Sequence, residues 1–349
     1  MRGKADKYPG KDGNGISCYT KLGALMTMTE SHESYSFAVT DEEEWLSHLE
    51  LHGYCVIEKV VGSDIVALAT DSLWRDMEGR FGAARDDIST WSMIPNGGAG
   101  ILNQYLPQSE GAWLIRGQES IRSIFRRIWD TDDLLVSMDS LLVWLPWWVN
   151  SSWKPHTEGL HIDQNPFYKP TRCCVQGMFP LTDVTSEIGG LEVVPGSHLP
   201  ESHEVFKANH SHYKRFPSDW CPVRTLNPAD PPPVLLQARA GDLILWDSRL
   251  IHGGKVGTMP CCDFANTTAQ EAESSPGLAR LAVPVCMTPR AALAPRLAEA
   301  VLTRREQAYV QGWTTTHWPH DPHFTFKPQP TETAYSPASL PARVRALIS

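Results

Sequence analysis

Residues 234–254 read VLLQARAGDLILWDSRLIHGG, and the fold can be read outward from them. Two short apolar runs, Val234–Ala238 and Asp242–Trp246, flank a turn that contains Gly241. Runs this short, bounded by turn residues, predict strands rather than helices. His252 then stands at the end of a further strand. The same texture extends upstream and downstream. Leu141–Trp148, Cys173–Leu181, Leu191–Val194 and Leu281–Met287 are further predicted strands, separated by Gly, Pro and Asn turns. Many short strands with turn signals between them predict an all-β barrel, sandwich or jelly roll.

Helices flank this β region. Asp41–Leu51 carries acids in its first turn, Thr40 as a possible N-cap and Gly53 as its stop. Tyr54–Ile57 follows as a strand, then a helix over Asp64–Arg80. A last helix is predicted over Pro295–Gln311. Residues 1–36 read as a flexible arm, 37–290 as the main domain and 291–349 as a helix and irregular tail packed on it. Two segments interrupt the β pattern. Residues 199–233 are long, Pro-rich and aromatic, and 261–277 form a second insertion. Long loops in compact domains are usually functional or disordered.

Composition narrows the function classes. The 349 residues are 42% hydrophobic and 20% charged, an ordinary globular balance. The net charge of −9 gives no reason to expect nucleic acid as a partner. The longest apolar stretch, Leu141–Val149, is broken by Pro146 and is too short for a membrane span. The eight cysteines form no CxxC motif, and Cys173-Cys174 and Cys261-Cys262 are poor self-partners. Reduced thiols in an intracellular, cytoplasmic setting are the expectation. The Gly- and Lys-rich N-terminus lacks the apolar core of a secretory signal.

The chemistry lies in HTEGLHIDQNPFYKP, residues 156–170. Side chains on a strand repeat every two residues, so His161 and Asp163 share a face. An imidazole beside a carboxylate makes two corners of a metal octahedron. A distant histidine supplies the third, and three positions stay open for non-haem Fe(II) and O2 chemistry; His252 stands at the end of a strand 91 residues after His161. An H-x-D alone is weak evidence, since a solvated loop pair gives the same pattern. GGLEVVPGSH (189–198), GDLILWDSRLIHGG (241–254) and Arg280 at the head of RLAVPVCM strengthen it.

With HGYCVIEKV and VQGMFPLTDV added in order, residues 41–290 resemble the phytanoyl-CoA dioxygenase-like branch of the Fe(II)/2-oxoglutarate oxygenases. The resemblance implies a mainly β, double-stranded β-helix (jelly roll, cupin-like) fold with flanking helices. It implies His161, Asp163 and His252 as catalytic iron ligands. It implies Arg280 as the cation on the far carboxylate of 2-oxoglutarate, a role that suits the planar guanidinium fork. Arg280 follows His252 at a longer spacing than this family usually shows, and the 261–277 insertion accounts for the excess. The implied activity is oxidative decarboxylation of 2-oxoglutarate to succinate and CO2, coupled to oxidation of a small metabolite or acyl derivative. Retention of Asp163 favours hydroxylation, desaturation or ring formation over halogenation.

Several alternatives stay open from sequence. His156-x-Glu158 is a competing pair, His198 a competing distal ligand, and Arg249 a competitor for Arg280. His48-x-Glu50 lies in a predicted helix, where residues two apart diverge by about 200°. His210, His212 and the histidines from His317 to His323 read as surface groups or, for the tail, as a cover over the pocket. Gln176 is a candidate to face the pocket and bond a carboxylate, as a second co-substrate contact. Another cupin-type metalloenzyme and a non-catalytic binding relative are the competing functions.

Overall fold

The computed structural model describes residues 35–260, 277–327 and 336–349. The predicted arm therefore lies outside the described residues up to position 34, and its last position, Ser36, already belongs to a strand. The 261–277 insertion lies outside them except for Gly277.

The strands in chain order are β1 (Ser36–Ala38), β2 (Tyr54–Glu58), β3 (Ile101–Leu102), β4 (Leu134–Val136), β5 (Leu141–Trp144), β6 (His161–Ile162), β7 (Val175–Pro180), β8 (Gly189–Val193), β9 (Cys221–Pro222), β10 (Val234–Leu235), β11 (Leu243–Asp247), β12 (His252–Val256), β13 (Arg280–Pro284), β14 (Met287–Pro289), β15 (Thr314–Thr315) and β16 (Phe324–Phe326). The helices are α1 (Glu42–His52), α2 (Ser63–Phe81), α3 (Glu110–Arg116), α4 (Glu119–Trp129), α5 (Pro200–Asn209), α6 (Ala298–Gln311) and α7 (Ala342–Arg345).

Two sheets carry the site. The larger runs β1-β2-β11-β7-β13-β5-β3, the smaller β10-β8-β12-β6-β9. From β5 to β13 the chain steps back and forth between them. The core orders β5-β13-β7-β11 and β6-β12-β8-β10 are antiparallel throughout. That is a double-stranded β-helix, the jelly roll expected from the strand pattern.

Strand alternation sorts the core. Leu243 and Leu245 of β11, Phe179 of β7, and Leu281 and Val283 of β13 face the helices. Ile244 and Trp246, Met178, and Ala282 take the opposite phase and fill the space between the sheets. Both faces are covered, which explains why these strands read as nearly continuous apolar runs. The same phase puts Gln176 beside Met178 and Arg280 beside Ala282, so two polar side chains are carried into the interior.

The helix and strand bounds correct the expectations in detail. The N-cap of α1 is Asp41 rather than Thr40. The helix stops at Gly53, whose φ of 81° is left-handed and whose Cβ would meet His198 at 2.6 Å. The strand predicted over Leu141–Trp148 ends at Trp144, before Pro146. Leu281–Met287 divides into β13 and β14, which pair in different sheets. Residues 199–233 are not one irregular loop, because α5 and β9 lie within them. The helices α3 and α4 carry no expectation from sequence.

The C-terminal region belongs to the same core. Tyr309 of α6, Val344 of α7, Leu347 and Ile348 join the main apolar cluster. Arg305 of α6 is fully buried, and its guanidinium donates to the carbonyls of Ile348, Pro319, Val136 and Leu347. Cys55, Cys173, Cys174, Cys221 and Cys286 are free. Among the described residues no helix is long and apolar enough to cross a membrane.

Candidate metal centre

His161 on β6 and His252 on β12 are direct cross-strand partners. Opposed residues of an antiparallel pair have side chains within contact distance, and the two imidazole centroids lie 4.5 Å apart. Asp163 sits just past β6, with Oδ1 3.6 Å from His161 Nε2 and Oδ2 3.2 Å from His252 Nε2. One donor atom from each of the three falls within 4.8 Å of the others, a cluster able to hold a metal ion.

The backbone fixes both tautomers. His161 Nδ1 donates to the Gly159 carbonyl and His252 Nδ1 to the Leu250 carbonyl, each at 2.9 Å. A carbonyl only accepts, so Nδ1 of each ring carries a proton and Nε2 is the atom turned to Asp163. Each Nε2 faces an Asp163 oxygen, an approach that is favourable only with a cation between them, a proton or a metal ion. The donor set therefore fits a divalent ion, with outer hydrogen bonds that aim the rings. Gly253 belongs to this arrangement. A Cβ there would come within 2.5 Å of the Gly159 carbonyl that holds His161.

Electrostatics agree with the geometry. Burial works against the Asp163 carboxylate, but His317, His252 and His161 outweigh it and hold it well below the usual carboxylate range. Burial, with His252 alongside, lowers His161 below the ordinary imidazole value. Gln176 Nε2 donates to Asp163 Oδ2 at 2.9 Å. The carboxylate that this amide meets is thus Asp163's own.

A cavity of about 250 Å³ opens on the three residues, and Arg280, Gln176 and Trp246 line it too. Arg280 is 3% exposed. It pairs with Trp144 across β13 and β5, and its guanidinium lies 4.7 Å from that ring's centroid. One NH2 contact reaches Met178 Sδ at 2.8 Å. No carboxylate meets it among the described residues, and its Nε has no acceptor. Burial lowers it to about 10. The Trp246 Nε1–H is also buried without an acceptor. Buried donors left unpaired are costly, so this wall is shaped for an oxygen-rich anion.

The competing residues lie elsewhere. Arg249 is committed to Asp247, with Nε–Oδ1 2.9 Å and NH2–Oδ2 2.7 Å, and Arg172 shares that carboxylate at 2.6 Å. Asp247 is buried, but Arg249 and Arg172 outweigh burial and hold it down to about 2. His198 bonds the Glu50 carbonyl at 3.0 Å. His48 packs on His52 and Tyr54, and His210 stacks on Phe206. Glu158 lines the cavity, whereas His156 is exposed and outside the metal cluster.

The tail supplies a residue that sequence reasoning placed only as a cover. His317 lines the cavity, with Nδ1 3.9 Å from Asp163 Oδ2 and its Nε2 buried without a partner. The strap is fixed by Thr315 N donating to Met138 O at 2.9 Å and by Trp318, 2% exposed. The histidine-rich composition of the tail was the available signal.

Fold and site define a class: a double-stranded β-helix metalloenzyme with an open His–Asp–His face. The chain belongs to the phytanoyl-CoA dioxygenase (PhyH) family, whose model matches residues 49–256. Family, fold and site together give an enzyme of the Fe(II)/2-oxoglutarate oxygenase type. The chain is similar to the Ava biosynthesis cluster protein O of Aspergillus versicolor, at 25% identity over 79% of this chain and 86% of that protein. A solved structure of the epimerase SnoN with Fe3+, alpha ketoglutarate and nogalamycin RO superposes with a TM-score of 0.49 at 16% identity, over 72% of this chain and 84% of that one. The non-heme alpha ketoglutarate dependent carbocyclase SnoK gives 0.46 at 19%, over 71% and 84%.

Proposed function

We propose that the protein oxidises a C–H bond of a small molecule by hydroxylation, desaturation or ring closure, with release of succinate and CO2. The observation that carries this reading is Arg280, a buried guanidinium without an anion, in the same cavity as His161, Asp163 and His252. His161, Asp163 and His252 hold Fe(II) on one face. Arg280 takes the far carboxylate of 2-oxoglutarate through its fork. When bound, the metal would supply activation of O2, which is the oxidant, while 2-oxoglutarate gives two of the four electrons as it leaves as succinate and CO2 and the substrate gives the other two.

The chain's own residues do the rest. Gln176 keeps Asp163 Oδ2 engaged and so fixes the carboxylate's rotation. Trp220 from the 199–233 segment and His317 from the strap line the cavity and exclude water over it. The cluster membership implied by the fungal relative's name is consistent with a small-metabolite substrate. The free thiols suit a reducing compartment.

Succinate release with Fe(II), 2-oxoglutarate and a metabolite panel tests the reading. Turnover of 2-oxoglutarate that disappears in Arg280→Ala supports it. A protein that binds Fe(II) but neither binds nor consumes 2-oxoglutarate overturns it.

A further inference from the structure

The charged side chains of the cavity divide by task. Asp163 belongs to the metal cluster, and in the reading above Arg280 belongs to 2-oxoglutarate. The charged residues then left in the lining are Asp139 and Glu158, both carboxylates. Glu158 is exposed at the rim, while Asp139 lies deeper, between β4 and β5.

Asp139 is held rigidly. Arg116, itself fully buried, donates from NH2 to the Asp139 carbonyl at 2.5 Å. Just before it in the chain, Ser137 N donates to Cys286 O and Met138 O accepts from Thr315 N. The carboxylate, by contrast, is almost unpartnered. It accepts one hydrogen bond, from the adjacent Ser140 amide at 2.7 Å, and forms no ion pair among the described residues. The Arg116 guanidinium is spent on the carbonyls of Pro107, Asp139 and Pro284. Burial accordingly pushes the Asp139 carboxyl up to about 7, against the pull of the Ser140 amide and Arg116. A fixed, half-buried acceptor with a single internal donor is a group whose remaining partner comes from outside the fold.

We propose that the substrate carries a basic nitrogen whose N–H groups are accepted by Asp139, and that anionic substrates such as acyl-CoA esters are rejected. This rests on the oxygenase reading and names the substrate class for that site. Leu142, Leu191 and Trp220 give the cavity apolar surface, with Ser140 and Thr157 as neutral polar residues of the lining. Trp220 is 45% exposed and presents a ring at the cavity entrance, over which a cation or an aromatic group can pack. A cationic N–H partner keeps the Asp139 carboxyl ionised, whereas an anion meets like charge or forces the carboxyl to hold a proton, and that difference excludes the wrong partner.

The test is calorimetric titration, under argon, of the full chain loaded with Fe(II) and 2-oxoglutarate. The probes are phenethylamine, N-acetylphenethylamine, 3-phenylpropanoate and butyryl-CoA. Saturable binding of the amine, weaker binding of the neutral amide and none of the two anions is expected. Asp139→Asn, nearly the same shape, should weaken the amine about tenfold or more, the worth of a charged hydrogen bond. Glu158→Gln should weaken it less. An amine that does not bind, anions that bind as tightly, or an amine affinity unchanged in Asp139→Asn would overturn the proposal. The charge-transfer absorption of the Fe(II)–2-oxoglutarate complex is read on the same samples. If it never forms, the oxygenase reading fails instead, and the amine titration of wild type against Asp139→Asn without cofactor still decides the role of Asp139.

Discussion

Replacing Arg280 by methionine should make the cofactor-free protein more stable and the enzyme dead. The lowering of Arg280 from its ordinary guanidinium value to about 10 corresponds to about 3 kcal/mol of strain on the folded cation, at roughly 1.4 kcal/mol per unit. Its position over Trp144 returns about 1–2 kcal/mol. The net cost of keeping the charge is therefore about 1–2 kcal/mol. A base whose folded pKa is depressed imposes this cost at every pH below that value, so it is fully present at neutrality. A methionine side chain would fill the same space without the charge, and the melting temperature should rise by about 2–4 °C. Wild type should in turn gain about 2.7 kcal/mol from 2-oxoglutarate at a hundredfold excess over Kd, with Fe(II) present. The variant should gain almost nothing. Differential scanning fluorimetry with and without Fe(II) and 2-oxoglutarate measures both numbers. A variant that melts lower and keeps its 2-oxoglutarate shift would refute the reasoning, and more so if Arg249→Met lost the shift.

Further outcomes follow from other contacts. His252→Ala should abolish bound iron, measured by metal analysis, while His198→Ala retains it. Gln176→Ala should weaken metal affinity about 10–100-fold by freeing Asp163 Oδ2, as read by competitive chelator titration. Asp247→Ala leaves the part-buried Arg249 and Arg172 without their shared anion, Arg172 keeping Glu50, and should cost about 1–3 kcal/mol in chemical denaturation. Burial, helped by His52, lowers His48 to about 4. The unfolded chain therefore binds more protons between pH 6.5 and 4, and stability falls as pH drops through that window. His48→Gln should flatten that acid limb in pH-dependent melts.

The β-helix and the metal face were legible because both are written locally. β7, β11 and β13 read as short apolar runs bounded by turn residues, and H-x-D uses the strand period of two. The choice between Arg280 and Arg249 was not legible. It is decided by Asp247, two residues from Arg249 in sequence and buried against it in space. Helices α3 and α4 escaped reading amid short 3-10 turns and loops. His317 escaped because its approach to Asp163 depends on the strap pairing with Met138, a contact between segments far apart in sequence. Asp139 carried no motif at all. Its meaning comes from where Arg116 spends its hydrogen bonds.

The carbonyls of Leu347 and Ile348 have a practical consequence for handling the protein. They are two of the acceptors that neutralise the buried Arg305, and another is Pro319, two residues from His317. Trimming the chain by a few C-terminal residues would strip a buried cation of its acceptors, an expensive vacancy in a low-dielectric interior. Relief by movement of α6 or of the Pro319 loop would shift the strap that carries His317. An affinity handle fused at this end without a spacer pulls on the same staple. A preparation altered beside Ile348 is therefore expected to lose activity through this staple rather than through a fault in the metal face.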